Sequence, residues 1–417
     1  MNPQYDFVIV GAGLSGLSAA IELEKFNLKL LIVDQEDRAG GRIKTDHVNG
    51  YQLDRGFQVY LDEYPNAKAH LDYNDLNLQA YEPGAICFDK FNKYRVYDSS
   101  RNKASLPKMI FSPVGSLMDK VRLGNLNARL KAVGVDEIFE RPEHTTIDYL
   151  RQSRYSSKII NRFFKPFFSG IFLENQLTTS SRMFEFVFKM LAEGNATLPE
   201  GGMEAIPQQL KSKLQHTEFR FHTKVSQVMQ NAVTTSEGDT ISCKGVIIAG
   251  DTNGLIPGHE SSMTWRQTAT YYFSADDSPI DKALIALNSN EDSNINLFTV
   301  PSAVSPAYAP KGKHLIGVSL KEIPHESTEE VTSDIKNELS MAFGNSVLQW
   351  EFLKNYHIHK ALPAPADMKN EIPFTETRLK PGVYLAGDYL LNGSINGAIR
   401  SGELAAQAAI FDYNANS

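Results

Sequence analysis

Cysteine is almost missing from this chain: Cys87 and Cys243 are the only two among 417 residues. Two cysteines cannot build a disulfide framework or a Cys-based zinc or iron–sulfur centre. Their scarcity suits a reducing compartment. Excess charge of one sign is also absent. Lys and Arg total 42 against 49 for Asp and Glu, a net −7, and nothing in that balance points to nucleic acid as a partner. Long hydrophobic runs are missing too. The longest uncharged stretch near the N-terminus, Phe7 to Ile21, has 15 residues and is interrupted by three glycines. It is too short to span a bilayer and lacks the basic flank of a secretory leader, so a cytoplasmic chain is expected. No internal repeat or low-complexity tract appears. What remains is ordinary globular composition, 42% hydrophobic and 22% charged, at a length that implies two or three domains.

The N-terminus carries the strongest pattern. Tyr5 to Val10 is an apolar, β-branched run of the kind that forms a buried parallel strand. It ends at Gly11-Ala12-Gly13-Leu14-Ser15-Gly16, after which Leu17, Ala20, Ile21 and Leu23 recur at helical spacing. Leu28 to Val33 predicts a second strand, ending at Asp34 and followed by Gln35. Within this βαβ unit Gly11 permits the tight turn, Gly13 lets the backbone approach a pyrophosphate, and Gly16 allows close helix–strand packing. The first-turn N–H groups at Leu14 and Ser15 belong to a helix end suited to phosphate. Asp34 stands where a carboxylate binds a ribose hydroxyl, favouring FAD or NAD over NADP. Asn27 suits the left-handed turn into the second strand.

Gly40-Gly41-Arg42 follows six residues after Asp34. This stretch resembles the double-glycine signature of the flavin-containing amine oxidase superfamily, which includes monoamine and polyamine oxidases, protoporphyrinogen oxidases and phytoene desaturases. The resemblance implies extended FAD, with Gly40, Gly41 and Arg42 along its diphosphate and ribityl chain. Near the C-terminus, Gly382 to Asp388 and then Gly393-Ser394-Ile395-Asn396-Gly397-Ala398 resemble the same superfamily's second flavin motif. By that likeness Gly387 and Asp388 contact the diphosphate–ribityl region. The helix start from Ser394 through Asn396 to Ala398 would then point at the flavin pyrimidine edge. Val225 matches the position that holds adenine through its backbone, and Gly56-Phe57 matches a loop beside the isoalloxazine. Residues 198–206, with Pro199-Glu200-Gly201-Gly202-Met203, resemble a re-entry segment of the desaturase and protoporphyrinogen oxidase branches.

The expected fold is therefore α/β, a discontinuous Rossmann-like FAD domain (1–70, 200–262 and 355–417) with an inserted α+β substrate domain (71–199 and 263–354). Strands are predicted over 269–274 and 314–320, and an amphipathic helix over 331–343. Asn392-Gly393-Ser394 holds no cysteine, so FAD is expected to be non-covalent. No catalytic side chain stands out beyond the flavin itself, and no metal site does: His357 and His359 share one face of a strand without a third ligand. Phenylalanines 163, 164, 167, 168, 172, 184, 186 and 188 read as helix core or as an apolar substrate chamber. Residues 101–134 interleave seven basic side chains with apolar ones against one acid, Asp119, which reads as a solvated helical face or as a peripheral membrane contact. The leading expectation is an FAD-dependent oxidoreductase moving hydride from a lipophilic, isoprenoid- or porphyrinogen-like small molecule to flavin N5. The alternatives are an amine oxidase releasing hydrogen peroxide and a flavin-dependent mutase without net redox.

Overall fold

The structure is a computed structural model that describes residues 3–97, 109, 112–258 and 263–415. Two large sheets dominate it. In the first, strands Glu218–Arg220, Leu30–Val33, Tyr5–Val10, Thr240–Ile248 and Val383–Leu385 run parallel. The inner strands are buried on both faces, as their continuous apolar sequence demands. Val225–Val228 and Ala232–Thr235 extend the sheet as an antiparallel pair.

The N-terminal helix, Leu14–Glu24, and the C-terminal helix, Ile395–Ala415, pack on this sheet and on each other. Asn27 takes the left-handed conformation, φ 54°, at the expected turn. Gly402 lets the two helices touch, since a Cβ there would strike the Ser15 carbonyl and the Ser18 hydroxyl. Ser18 Oγ in turn donates to Ile399 O at 2.6 Å. Both helices start at the edge where the parallel strands Tyr5–Val10 and Val383–Leu385 end.

The second sheet has seven strands. Trp265–Ala275 and His314–Leu320 pair antiparallel within it, next to the central strand Ile295–Thr299, and helix Thr328–Phe343 covers one face behind a Ser327/Glu330 capping box. Residues 355–363, expected with the nucleotide half, belong here instead. They lie in the edge strand Glu351–Pro363, which continues the antiparallel ladder of Trp265–Ala275 from Ser274↔Glu351 to Trp265↔Pro363. The stretch from 117 to 193 is mostly helical. Phe164, Phe168, Phe172, Phe184 and Phe186 are buried there, with Phe168 and Phe184 ring centres 4.6 Å apart. That cluster is helix core.

Candidate cofactor site and adjoining chamber

The first strand hands over to the N-terminal helix at Gly11, whose φ of +111° excludes ordinary side chains. A Cβ there would also lie 2.6 Å from the Ala249 carbonyl oxygen. Gly13 is the N-cap and offers no side chain to the helix end. The first-turn N–H groups of Leu14, Ser15 and Gly16 are thus left for a ligand. The Gly40-Gly41 turn closes on this point: Gly40 N–H donates to Ala12 O at 2.9 Å. A Cβ on Gly41 would lie 3.2 Å from Gly13 Cα. Two bare backbones therefore face each other over a helix N-terminus, a cradle that suits a diphosphate and that side chains would fill.

Asp34 ends the second strand with its carboxylate already engaged. Oδ2 accepts from Ala12 N–H at 2.7 Å and Oδ1 from Glu36 N–H at 2.9 Å. Each oxygen keeps a further lone pair for a hydroxyl. Gln35 is exposed. Asp34 also draws in the mid-chain segment, with Asp34 N–H donating to Arg220 O at 3.0 Å and Thr223 N–H to Asp34 O at 2.8 Å. Val225 follows two residues later, its side chain in the core on the first sheet's other face; only backbone bonds connect it to the glycine cradle.

Arg42 leaves the double-glycine turn and reaches the C-terminal motif. Its Nη2 donates to Asp388 Oδ1 at 2.6 Å, and its guanidinium lies over the Trp265 ring, 5.4 Å from the centroid. Gly387 N–H donates to Ser401 Oγ at 2.9 Å, which pins the turn before Asp388 to the C-terminal helix. At the helix start Ser394 Oγ accepts from Gly397 N–H at 2.9 Å. Asn396 Oδ1 accepts from Asn66 N–H at 2.8 Å, yet Asn396 Nδ2 is buried without a partner. Ala398 is buried behind it. The structure thus gathers Gly11, Gly13, Leu14, Ser15, Gly16, Gly40, Gly41, Arg42, Gly387 and Asp388 around the two helix ends. The bare glycine cradle and the orphaned Asn396 donor both fit a bound dinucleotide.

The loop Arg55–Gln58 joins this edge to the second sheet. Gln58 Nε2 donates to Arg42 O at 3.1 Å, and Phe57 N–H to Thr270 Oγ1 at 3.2 Å. Beside Phe57 and Gln58 lies a small cavity, lined also by Asp54, Tyr81, Leu198, Thr270, Tyr272, Thr299, Pro301 and Gly317. No phenylalanine of the 163–188 cluster lines it. Asp54 is its ionisable group. Oδ1 accepts from Thr45 Oγ1 at 2.5 Å and Met203 N–H at 2.9 Å, and Oδ2 from Tyr308 Oη at 2.9 Å. Burial outweighs these donors and pushes the Asp54 carboxyl up to about 6. His357 and His359 are exposed, and His357 bonds Tyr271 Oη at 3.1 Å. Elsewhere Glu22, His70 and Glu403 approach one another, already partnered by Lys25 and Arg400.

Sequence reasoning passed over Thr270, Ser401 and Gly402. The small pair Ser401-Gly402, one turn into an apolar helix, was the only signal of the helix–helix seam.

The model of the flavin containing amine oxidoreductase family matches residues 14–410. The chain belongs to this family. The family name carries the cofactor class, a flavin. The probable flavin-containing monoamine oxidase A of Dictyostelium discoideum is 23% identical over 274 residues, covering 60% of this chain and 58% of that protein. The 1-hydroxycarotenoid 3,4-desaturase of a Flavobacterium strain is 24% identical over 268 residues, covering 55% and 54%. The chain's matches thus span little more than half the length of either relative. Among solved structures, cyclohexylamine oxidase from Brevibacterium oxydans superposes with a TM-score of 0.71 at 15% identity, covering 99% of this chain and all of that one. This last likeness is one of fold.

Proposed function

We propose that the chain is an FAD-dependent oxidoreductase that oxidises a lipophilic small molecule, isoprenoid- or porphyrinogen-like, and holds its FAD non-covalently. The observation that carries this reading is the Arg42–Asp388 pair, which closes the two flavin motifs over one glycine cradle. The flavin supplies the hydride acceptor at N5. The chain's residues bind and orient. Gly13, Gly41 and the first-turn N–H groups take the diphosphate, Asp34 a ribose hydroxyl, the Val225 backbone the adenine, and the start of the C-terminal helix the flavin pyrimidine edge. Gly56 and Phe57 carry the wall between cofactor and substrate.

Both cysteines are buried within strands, Cys87 in the second sheet and Cys243 in the first, which supports a non-covalent cofactor. Apart from Asp54, the lining of the chamber beside Phe57 has no acidic or basic side chain, which supports a largely apolar substrate without an anionic group. One feature favours the amine oxidase reading: Tyr81 and Tyr272 both line that chamber, and paired aromatic rings can hold an amine. The two readings part in one experiment. Anaerobic bleaching of the flavin by a carotenoid precursor or a porphyrinogen supports the first. Peroxide release with aromatic amines or polyamines, without bleaching by the lipophilic set, overturns it in favour of the second. Bleaching by neither set, in a protein that needs prereduced flavin and consumes no acceptor, points to a mutase.

A peripheral membrane contact belongs to the same reading. Leu117, Met118 and Val121 are exposed at the start of helix Leu117–Ala132, whose Arg129 and Lys131 add positive charge. The earlier part of the basic stretch, including Arg101, Lys103, Lys108, Ile110 and Phe111, lies outside the described residues. No helix among the described residues is long and apolar enough to cross a membrane.

A further inference from the structure

Tyr389 follows Asp388 in a short 3-10 turn, Asp388–Leu390. Its ring lies flat against Gly387, where a Cβ would collide with the ring atoms Cε1 and Cδ1. The hydroxyl at the far end of that ring is fully buried and has no hydrogen-bond partner. Burial, with the Asp388 and Asp251 carboxylates adding to it, holds the phenol well above its ordinary range, so Tyr389 is a neutral donor. Both acids already have cations: Arg42 pairs with Asp388 at 2.6 Å and Lys360 with Asp251 at 2.5 Å. Neither acid is bonded to the phenol, so the hydroxyl is left without an acceptor beside two carboxylates that are already paired.

A buried hydroxyl without a partner is destabilising, and a second orphan follows it in the same C-terminal segment. Asn396 Nδ2, seven residues on, is also buried and unpartnered. Of the unsatisfied buried side-chain atoms among the described residues, these two donors fall within one segment of eight residues, at the edge where the parallel strands end, and an acceptor-rich ligand would satisfy both. Asp251 follows the end of the central strand Thr240–Ile248, and Asp388 follows Val383–Leu385. Both acids therefore follow strands of the same parallel sheet that carries the glycine cradle.

We propose that Tyr389 is a cofactor-binding residue, its Oη donating to a hydroxyl or phosphate oxygen of the ribityl–diphosphate segment of FAD. This rests on the FAD reading above and adds a residue to it that the glycine motifs do not contain. Because the phenol hydroxyl is unpaired until a ligand arrives, its removal separates binding from folding.

The test is a titration of the purified full-length apoprotein with FAD, followed by quenching of flavin fluorescence, for wild type and Tyr389→Phe. The expected result is a Kd for FAD raised about 5- to 20-fold in the variant, the loss of one neutral hydrogen bond. The apoprotein of the variant should melt at the wild-type temperature or above it, since an unsatisfied hydroxyl has been removed. A purely structural role for Tyr389 predicts the opposite pattern, a destabilised apoprotein with unchanged Kd. An equal Kd in the two proteins overturns the proposal while leaving FAD binding intact. Failure of the wild-type apoprotein to bind FAD at all overturns the cofactor reading beneath it. Asn396→Ala serves as the comparison at the second orphan, where the Asn66 contact is lost as well.

Discussion

Arg42 and Asp388 stand 346 residues apart in sequence and form an ion pair of 2.6 Å between Nη2 and Oδ1. Asp388 is buried, whereas the Arg42 side chain keeps 39% of its surface exposed. The pair therefore acts as a clasp: the turn that carries Asp388 is pinned to the C-terminal helix through Gly387 N–H and Ser401 Oγ, and the arginine closes on the carboxylate from the double-glycine turn. Arg42→Ala leaves a buried carboxylate without its cation. Since one partner is partly solvated, the expected loss of stability is about 1–2 kcal/mol, below the figure for a fully buried pair. Loss of FAD should be the larger effect, at least tenfold in Kd, read by equilibrium dialysis. Arg42→Lys should recover the stability but only part of the affinity, because an ammonium cannot reproduce the planar fork.

The glycines divide into those the fold needs and those the ligand needs. Gly11 has a positive φ and would clash with the Ala249 carbonyl, so Gly11→Ala should destabilise the apoprotein by about 2 kcal/mol or more. Gly13 is different. Its φ is −76°, and the nearest atom to an added Cβ is Gly41 Cα at 3.9 Å, an ordinary contact. Gly13→Ala should leave the apoprotein's urea midpoint unchanged or slightly higher. FAD binding should nonetheless fall steeply, because the methyl group occupies the diphosphate's approach. If Gly13→Ala binds FAD as wild type does, the cradle assignment is wrong.

Much of this site could be read from the sequence because its parts are local. A strand, a glycine turn, a helix and an acid at its end are consecutive in the chain, and the left-handed Asn27 is fixed by its own position. What could not be read depends on contacts between distant segments. Thr270 accepts a hydrogen bond from Phe57 across 213 residues, and Ser401 caps Gly387 only because the last helix folds back on the first sheet. The strand containing His357 was placed in the wrong half for the same reason. Its alternation predicts a strand but not a partner, and the partner, Trp265–Ala275, is chosen by the second sheet's open edge. The phenylalanine-rich segment leaves two readings open for another reason. A substrate wall and a helix core have the same composition, and only packing separates them.

Asp54 makes stability depend on pH with a sign opposite to that of most carboxylates. Burial raises it from 3.8 to about 6 in the folded chain, against the donors Thr45, Met203 and Tyr308 and with help from the nearby Glu204. Between about pH 4 and pH 6 the native state therefore holds a proton that the unfolded chain has released, so ν_N exceeds ν_U and stability falls as pH rises through this window. The contribution is fully present below about pH 4 and is lost above about pH 6, up to about 3 kcal/mol over two units. Asp54→Asn cannot titrate. Urea midpoints at pH 4.5 and pH 7.5 should show wild type losing ground to the variant as pH rises. Parallel pH profiles for the two proteins would place the titration elsewhere.

The exposed start of helix Leu117–Ala132 gives the remaining prediction. Leu117, Met118 and Val121 are 63%, 55% and 50% exposed, and positions i, i+1 and i+4 share one side of a helix. The capping box of Ser116 and Asp119 holds this turn in place, so the patch is rigid and not a frayed end. Three apolar side chains amount to a weak anchor alone, and anionic lipid must add its attraction for Lys131 and the other basic side chains of the stretch, Arg129 being already paired with Glu185. Wild type should therefore float with phosphatidylserine vesicles at low salt and detach at about 0.5 M salt, where the screening length is only a few ångströms. Leu117→Ser combined with Val121→Ser should abolish flotation without changing FAD content, since neither residue reaches the cofactor edge. Flotation that survives both the salt and the double substitution would mean that the contact is made by another surface.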